Sequence, residues 1–194
     1  MALDGPLGLR FHAAGPGSGL RRLAQSGGGG APYWGHLWPG GAALVAHLQA
    51  FPEMVRGRSV LDLGAGSGLV GIAAARAGAR RVLASESDPV AQLAVGVNAA
   101  LNGVELTVLG DMLDAPDPEV DLILVGDMFY APDLAQRVLA FLLRAKRAEV
   151  LVGDIGRADL PLGRFQDLAR YPVREVGEAA ALPRHSGRVL RLAG

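Results

Sequence analysis

The sequence predicts an α/β fold, a three-layer sandwich around a mostly parallel sheet, and three observations carry that prediction. Short apolar runs alternate with longer stretches of helical spacing through most of the chain, the pattern of strands linked by crossover helices. One run, Ser59 to Leu63, breaks into the alternating glycines Gly64, Gly66 and Gly68 and is followed by an alanine-rich helical stretch, Leu69 to Gly78. Two short apolar or alternating runs, Tyr171 to Val176 and Arg188 to Leu192, close the chain and complete the sheet as an antiparallel pair. Counted this way the sheet has seven strands, one of them running against the rest.

The elements follow in order. Residues 1–30 read as a flexible N-terminal segment, with glycine and proline frequent from Gly5 to Gly19 and four glycines in a row at Gly27 to Gly30. Within it Leu7 to His12 has the makings of a short strand and Leu20 to Gln25 of a helical turn. Residues 31–194 form a single domain. Both tryptophans fall in one segment, Ala-Pro-Tyr-Trp-Gly-His-Leu-Trp-Pro-Gly-Gly from Ala31 to Gly41. Either they wall a pocket or they cap a core. Ala42 to Phe51 has apolar residues at helical spacing, with Pro39 near its start. Arg81 to Ser85 is the second strand of the sheet. Asp88 is placed to cap the next helix, with Pro89 at its first position and Asn102-Gly103 at its end near Leu101. Glu105 to Leu109 is the third strand and Val120 to Val125 a buried central one. Asp133 to Arg147 is helical, Glu149 to Gly153 is the fifth strand, and Pro161 to Ala169 a short helix.

Composition removes several classes of function. Half of the 194 residues are hydrophobic, enough for one substantial core. The formal net charge is zero, which speaks against nucleic acid or an anionic membrane as partner. There is no cysteine, so disulfides, thiol catalysis and cysteine metal sites are excluded, and no metal site is expected. No secretory signal and no run long enough to span a bilayer is seen. A cytoplasmic monomer is the expectation.

The glycine spacing narrows the ligand. A dinucleotide fingerprint, G-x-G-x-x-G, would put its third glycine at Leu69. The glycine falls at Gly68 instead, a poorer cradle for phosphates. Glu86 follows Gly66 by 20 residues, at the end of the next strand, where an acid accepts from ribose hydroxyls. Val-Leu-Asp-Leu-Gly-Ala-Gly-Ser-Gly at 60–68 resembles motif I of the class I S-adenosylmethionine-dependent methyltransferases, which are Rossmann-like. The resemblance implies S-adenosylmethionine as cofactor and S-adenosylhomocysteine as product. It implies a cofactor site of Trp38, Asp62, Gly64, Ala65, Gly66, Gly68, Glu86, Ser87, Asp111, Met112 and Asp127. Asp111 either accepts from the adenine amino group or is a turn residue of an acidic loop. Asp127, at the end of the central strand, either meets the methyl acceptor or caps the helix that follows.

Further pieces sharpen the resemblance. Asp-Met-Phe-Tyr at 127–130 fits the D-x-x-Y signature of seven-β-strand protein methyltransferases, mostly lysine-specific. With Pro32-Tyr33-Trp34, Trp38-Pro39-Gly40-Gly41 and Gly153-Asp154-Ile155-Gly156-Arg157, the chain is most similar to the electron-transfer-flavoprotein β-subunit lysine methyltransferases and their bacterial relatives. What this implies is methyl transfer to lysine side chains of that flavoprotein subunit. Asp127 and Tyr130 are then the catalytic candidates. Asp127 would hold and orient the amine, and its replacement by alanine would abolish transfer while sparing cofactor binding. Tyr130 would add a hydrogen bond or an aromatic wall. Glu86 departs from the usual aspartate. A small-molecule amine N-methyltransferase, or a non-catalytic S-adenosylmethionine-binding module, would share the cofactor half. A nucleic-acid amino-methyltransferase would prefer D/N-P-P-Y/F, where this chain has Met128 and Phe129.

Overall fold

The computed structural model describes residues 2–4, 8–12, 33–173 and 185–193. The expected helical turn at Leu20 to Gln25, and Pro32 of the aromatic segment, lie outside the described residues. Two short strands, β1 (Ala2–Asp4) and β2 (Arg10–His12), pair antiparallel ahead of the main domain. β2 falls within the short strand expected at Leu7 to His12, whereas β1 was not expected. Leu9 and Phe11 are buried in the core, and burial of a Leu and a Phe stabilises by about 2–3 kcal/mol each.

The main domain runs α1 (Pro39–Ala50), β3 (Ser59–Leu63), α2 (Leu69–Arg76), β4 (Arg81–Ser85), α3 (Pro89–Leu101), β5 (Thr107–Leu109), β6 (Leu122–Gly126), α4 (Pro132–Arg144), β7 (Glu149–Asp154), β8 (Phe165–Val173) and β9 (His185–Leu192). The seven strands from β3 to β9 form one sheet in the order β5-β4-β3-β6-β7-β9-β8. Pairings among β3 to β7 are parallel, and β9 runs antiparallel to both β7 and β8. One strand thus opposes the rest, as expected. The chain moves outward from β3 through β4 to β5, then returns to the other side of β3 with β6. The crevice beyond the carboxyl ends of β3 and β6 is the switch point where such sheets bind ligands.

Strand alternation divides the core in two. Val60, Leu122, Leu124, Leu151 and Val189 face α1 and α2, whose Leu44, Val45, Leu48 and Ile72 complete that layer. Leu61, Leu63, Ile123, Val125, Val150 and Val152 face the other way, onto Phe129 and the α4 residues Val138, Phe141 and Leu142. Both sides of each central strand are apolar because both are covered.

The caps behave as local chemistry dictates. The Asp88 carboxylate accepts from Val90 N–H at 2.8 Å and Pro89 opens α3; Asn102 ends it, and Gly103 follows at φ 67°. The short helix expected at Pro161 to Ala169 is corrected. A single 3₁₀ turn, Leu162–Arg164, leads directly into the nine-residue β8. A register shift between Asp167 and Ala169 interrupts the period-two alternation, so Leu168 and Ala169 both pack toward α1. Such a bulge hides a strand from pattern reading.

Candidate functional site

The site starts from the turn after β3. Gly64, Gly66 and Gly68 take φ values of 69°, 53° and 79°, a left-handed path closed to most side chains. The turn is tied down at both ends: Ala65 N–H donates to Ser85 O at 2.9 Å and Gly68 N–H to Ala65 O at 2.7 Å. The wholly buried Asn98 of α3 steadies it from behind, donating to Ser67 O at 2.8 Å and accepting from His12 N–H at 2.9 Å. A cleft opens above the turn. Trp38, Asp62, Gly64, Ala65 and Gly66 line it, together with Gly41 of the Trp-Pro-Gly-Gly piece and with His36 and Leu37, which have no role from sequence.

The acids differ in what they do. Asp62 is 1% exposed and accepts from Gly71 N–H at 2.7 Å. Burial pushes its carboxyl up to about 7; the Gly71 hydrogen bond opposes this and the Glu86 charge adds to it. Glu86 reaches back 20 residues: its Oε2 accepts from Gly66 N–H at 2.8 Å and its Oε1 from Asp88 N–H at 3.0 Å. Ser87 is exposed and its hydroxyl lies 3.4 Å from Glu86 Oε1. So Glu86 is brought to the glycine turn. Asp111 makes the contacts of a turn residue: its Oδ1 accepts from Leu113 N–H at 2.9 Å and its Oδ2 pairs with Arg137 at 3.1 Å. Met112 contributes its N–H, which donates to Ser85 Oγ at 3.2 Å.

Asp127 departs furthest from expectation. It is 4% exposed and holds φ at 55°, the one positive value outside glycine among the described residues. Its Oδ2 accepts from the N–H groups of Gly40 and, at 3.2 Å, Gly41. Its Oδ1 meets Arg157 Nε at 3.1 Å and Nη2 at 3.0 Å. A carboxylate offers about four lone-pair sites, and these partners fill them. The group therefore does not present a free oxygen to an incoming amine, which corrects the direct-holding role. Nor does it cap α4, whose first turn has no side-chain cap. It caps α1 from across the fold, where no side chain of the helix's own does so. Burial raises its carboxyl above the usual range, while the Arg157 charge lowers it and Asp154 raises it.

The glycines explain how the helix comes so close. A Cβ on Gly40 would collide with the Gly153 carbonyl, one on Gly153 with the Gly40 carbonyl, and one on Gly126 would stand 3.1 Å from Gly41 Cα. Three of the sequence pieces, around Gly40, Gly126 and Gly153, meet at one joint between the start of α1 and the ends of β6 and β7. Its residues fall within sequence motifs, but only Asp127 has a role from sequence. Arg157 is quoted there without one, since no spacing rule links it to a partner 30 residues away.

Aromatic rings cluster around Trp38, which lines the cleft. Tyr33 and Tyr130 are 57% and 55% exposed, with ring centroids 6.2 Å apart. Trp38 lies 5.9 Å from Tyr33 and donates from Nε1 to Tyr33 O at 3.0 Å. The Tyr130 hydroxyl is raised by partial burial and by Tyr33 and Glu86.

Residues 22–157 match the family model described as lysine methyltransferase. This chain belongs to that family. It is 43% identical over 131 residues to the electron transfer flavoprotein beta subunit lysine methyltransferase of Homo sapiens, covering 65% of this chain and 50% of the relative. It is 44% identical over 153 residues to the protein of the same description from Rattus norvegicus, covering 74% of this chain and 60% of the relative. The chain thus spans between half and three fifths of the length of these relatives. Among solved structures, the ribosomal protein L11 methylase of Lactobacillus delbrueckii subsp. bulgaricus superposes with a TM-score of 0.56 at 26% identity, over 77% of each chain.

Proposed function

We propose that this chain is an S-adenosylmethionine-dependent protein-lysine N-methyltransferase whose substrate is the electron transfer flavoprotein β subunit. Family membership supports the methyl-transfer chemistry, and the substrate of the similar proteins from Homo sapiens and Rattus norvegicus supports the acceptor. The observation that carries the reading is the cleft at the β3–β6 switch point. Its glycine turn lacks the third fingerprint glycine of a phosphate cradle, and the acid of β3 and an indole look into it. These groups suit an adenosyl ligand that bears positive charge. Asp62 attracts a cation and so does the face of Trp38. Glu86, at Gly66, stands where ribose hydroxyls are bound. Asp111 is left out of this assignment.

When bound, the cofactor supplies an electrophilic methyl group on a sulfonium. The chain's own residues do the rest. The joint of Gly40, Gly41, Asp127 and Arg157 holds the Trp38 side of the cleft still. Tyr33 and Tyr130 flank the entrance, where their faces receive the lysine ammonium and its stem. Desolvation of the amine as it passes these rings into the cleft lowers its affinity for its proton, which is about 10.4 in pKa when free. The proton leaves to solvent at the exposed rim. Alignment of the neutral amine contributes most of the acceleration. The reading is of a monomer that acts in the cytoplasm, and the zero net charge speaks against a nucleic-acid partner.

The test is to incubate the purified protein with labelled S-adenosylmethionine and the flavoprotein β subunit, then map the label by mass spectrometry. Label on lysine is expected. Label on arginine, on a chain terminus or on small metabolites alone would reject the assignment.

A further inference from the structure

Asp127 is held by two different parts of the fold, and the second part has no assigned purpose. Its Oδ1 is met by the Arg157 guanidinium. Arg157 is in turn placed by Asp154, the last residue of β7, which is wholly buried. Asp154 Oδ1 accepts from Gly156 N–H at 2.6 Å and Arg157 N–H at 2.8 Å, folding the chain over so that the arginine turns inward. The other oxygen of Asp154 is buried without a hydrogen-bond partner. That is a costly arrangement for a loop with only a turn to make.

We infer that Arg157, set by the turn on Asp154, is a positioning residue for methyl transfer: it acts through Asp127 on Gly40 and Gly41 and so fixes the Trp38 wall of the cofactor cleft. This rests on the function proposed above. The line of contact is short. Gly41 and Trp38 both line the cleft, and Gly41 N–H is one of the two donors to Asp127 Oδ2. An ionised Asp127 binds the positive end of α1; a protonated one has a weaker hold. The charged and titratable groups around it are Arg157 and Asp154 from the loop after β7, while α1 presents only backbone N–H groups. Arg157 is the cation of this set, so without it Asp127 is a buried acid beside a buried acid. Its hold on a proton then strengthens, and the first turn of α1 loosens over the cleft.

The test is calorimetric titration with S-adenosylhomocysteine at pH 6.5 and pH 8.5, for the full chain and for Arg157→Ala and Arg157→Lys. Each variant is compared with the unaltered chain at the same pH, which cancels the titration of Asp62. Arg157→Ala is expected to bind about tenfold more weakly at pH 6.5, with the gap narrowing severalfold at pH 8.5, and Arg157→Lys to recover most of the loss. A gap equal at both pH values, or a lysine variant no better than alanine, overturns the inference. Should Arg157→Ala fail to fold, Arg157→Gln is measured alone and in an Asp127→Asn background. A pH-dependent loss in the first and none in the second is expected, and identical profiles overturn the inference. Absence of binding by the unaltered chain would reject the proposed cofactor instead.

Discussion

Asp62 gives the most quantitative prediction. Burial raises its carboxyl from 3.8 to about 7, and the unfolded chain keeps the ordinary value. Between those two values the folded protein holds a proton that the unfolded chain has lost, so stability falls as pH rises through the window. At about 1.36 kcal/mol per pH unit, ionising this side chain in place costs about 4 kcal/mol above pH 7. Asp62→Asn keeps an oxygen to accept from Gly71 N–H and removes the charge. The stability of the variant minus that of the parent should therefore grow by about 2 kcal/mol between pH 5 and pH 7, as read from urea unfolding at intervals of one pH unit. Taking the difference removes the other titrating groups. Asp127, raised by burial, acts in the same direction, whereas His47, lowered by burial, acts against it. A difference that is the same at pH 5 and pH 8 would refute the reasoning, because Asp62 would then carry its charge at no cost. A second reading of the same group is available from ligand binding. A cationic ligand in the cleft should draw the proton off, so its binding heat near pH 6.5 should vary with the ionisation heat of the buffer. No variation would place the ligand's charge away from Asp62.

Two further predictions concern the frame. Gly153→Ala drives a methyl group into the Gly40 carbonyl; backbone rather than a flexible side chain must move, and overpacking of this kind costs about 1–3 kcal/mol. Thermal unfolding should show it as a lowered midpoint, and an unchanged midpoint would mean that α1 is free to shift. Asp88→Ala removes the oxygen that accepts from Val90 N–H and should cost about 1 kcal/mol, measured by denaturant unfolding. Asp88→Asn should recover most of that loss.

What could be read in advance followed from local rules. The strands β3, β4 and β7, the capped start of α3, and the glycine turn all announce themselves in a few consecutive residues. Two features resisted. The first half of β8 reads as a helix because Leu162, Phe165, Leu168 and Ala169 recur at helical spacing, and the bulge between Asp167 and Ala169 breaks the alternation that would mark a strand; its end, from Tyr171, reads correctly as a strand. Asp127 was placed correctly at the end of β6, but its partners come from residues 40, 41 and 157. Nothing in the order of residues says that a carboxylate near a cleft will face inward to a helix end. That is decided by three glycines allowing two backbones to touch, a fact of packing that emerges only when the chain is folded. Asp111 teaches the same lesson on a smaller scale, its nearest claim being Leu113 N–H, two residues on.

The close approach of α1 to β6 and β7 has a consequence for how such an enzyme can change its substrate. One flank of the cleft is built from backbone pressed on backbone, with no side chains in between to exchange. Variation there has almost nowhere to go. The aromatic cluster beside it is different: Tyr33 and Tyr130 stand more than half in solvent, with ring centroids 6.2 Å apart. Selectivity for one acceptor over another should therefore be retuned at those two rings, and a library confined to positions 33 and 130 is the economical place to look for it.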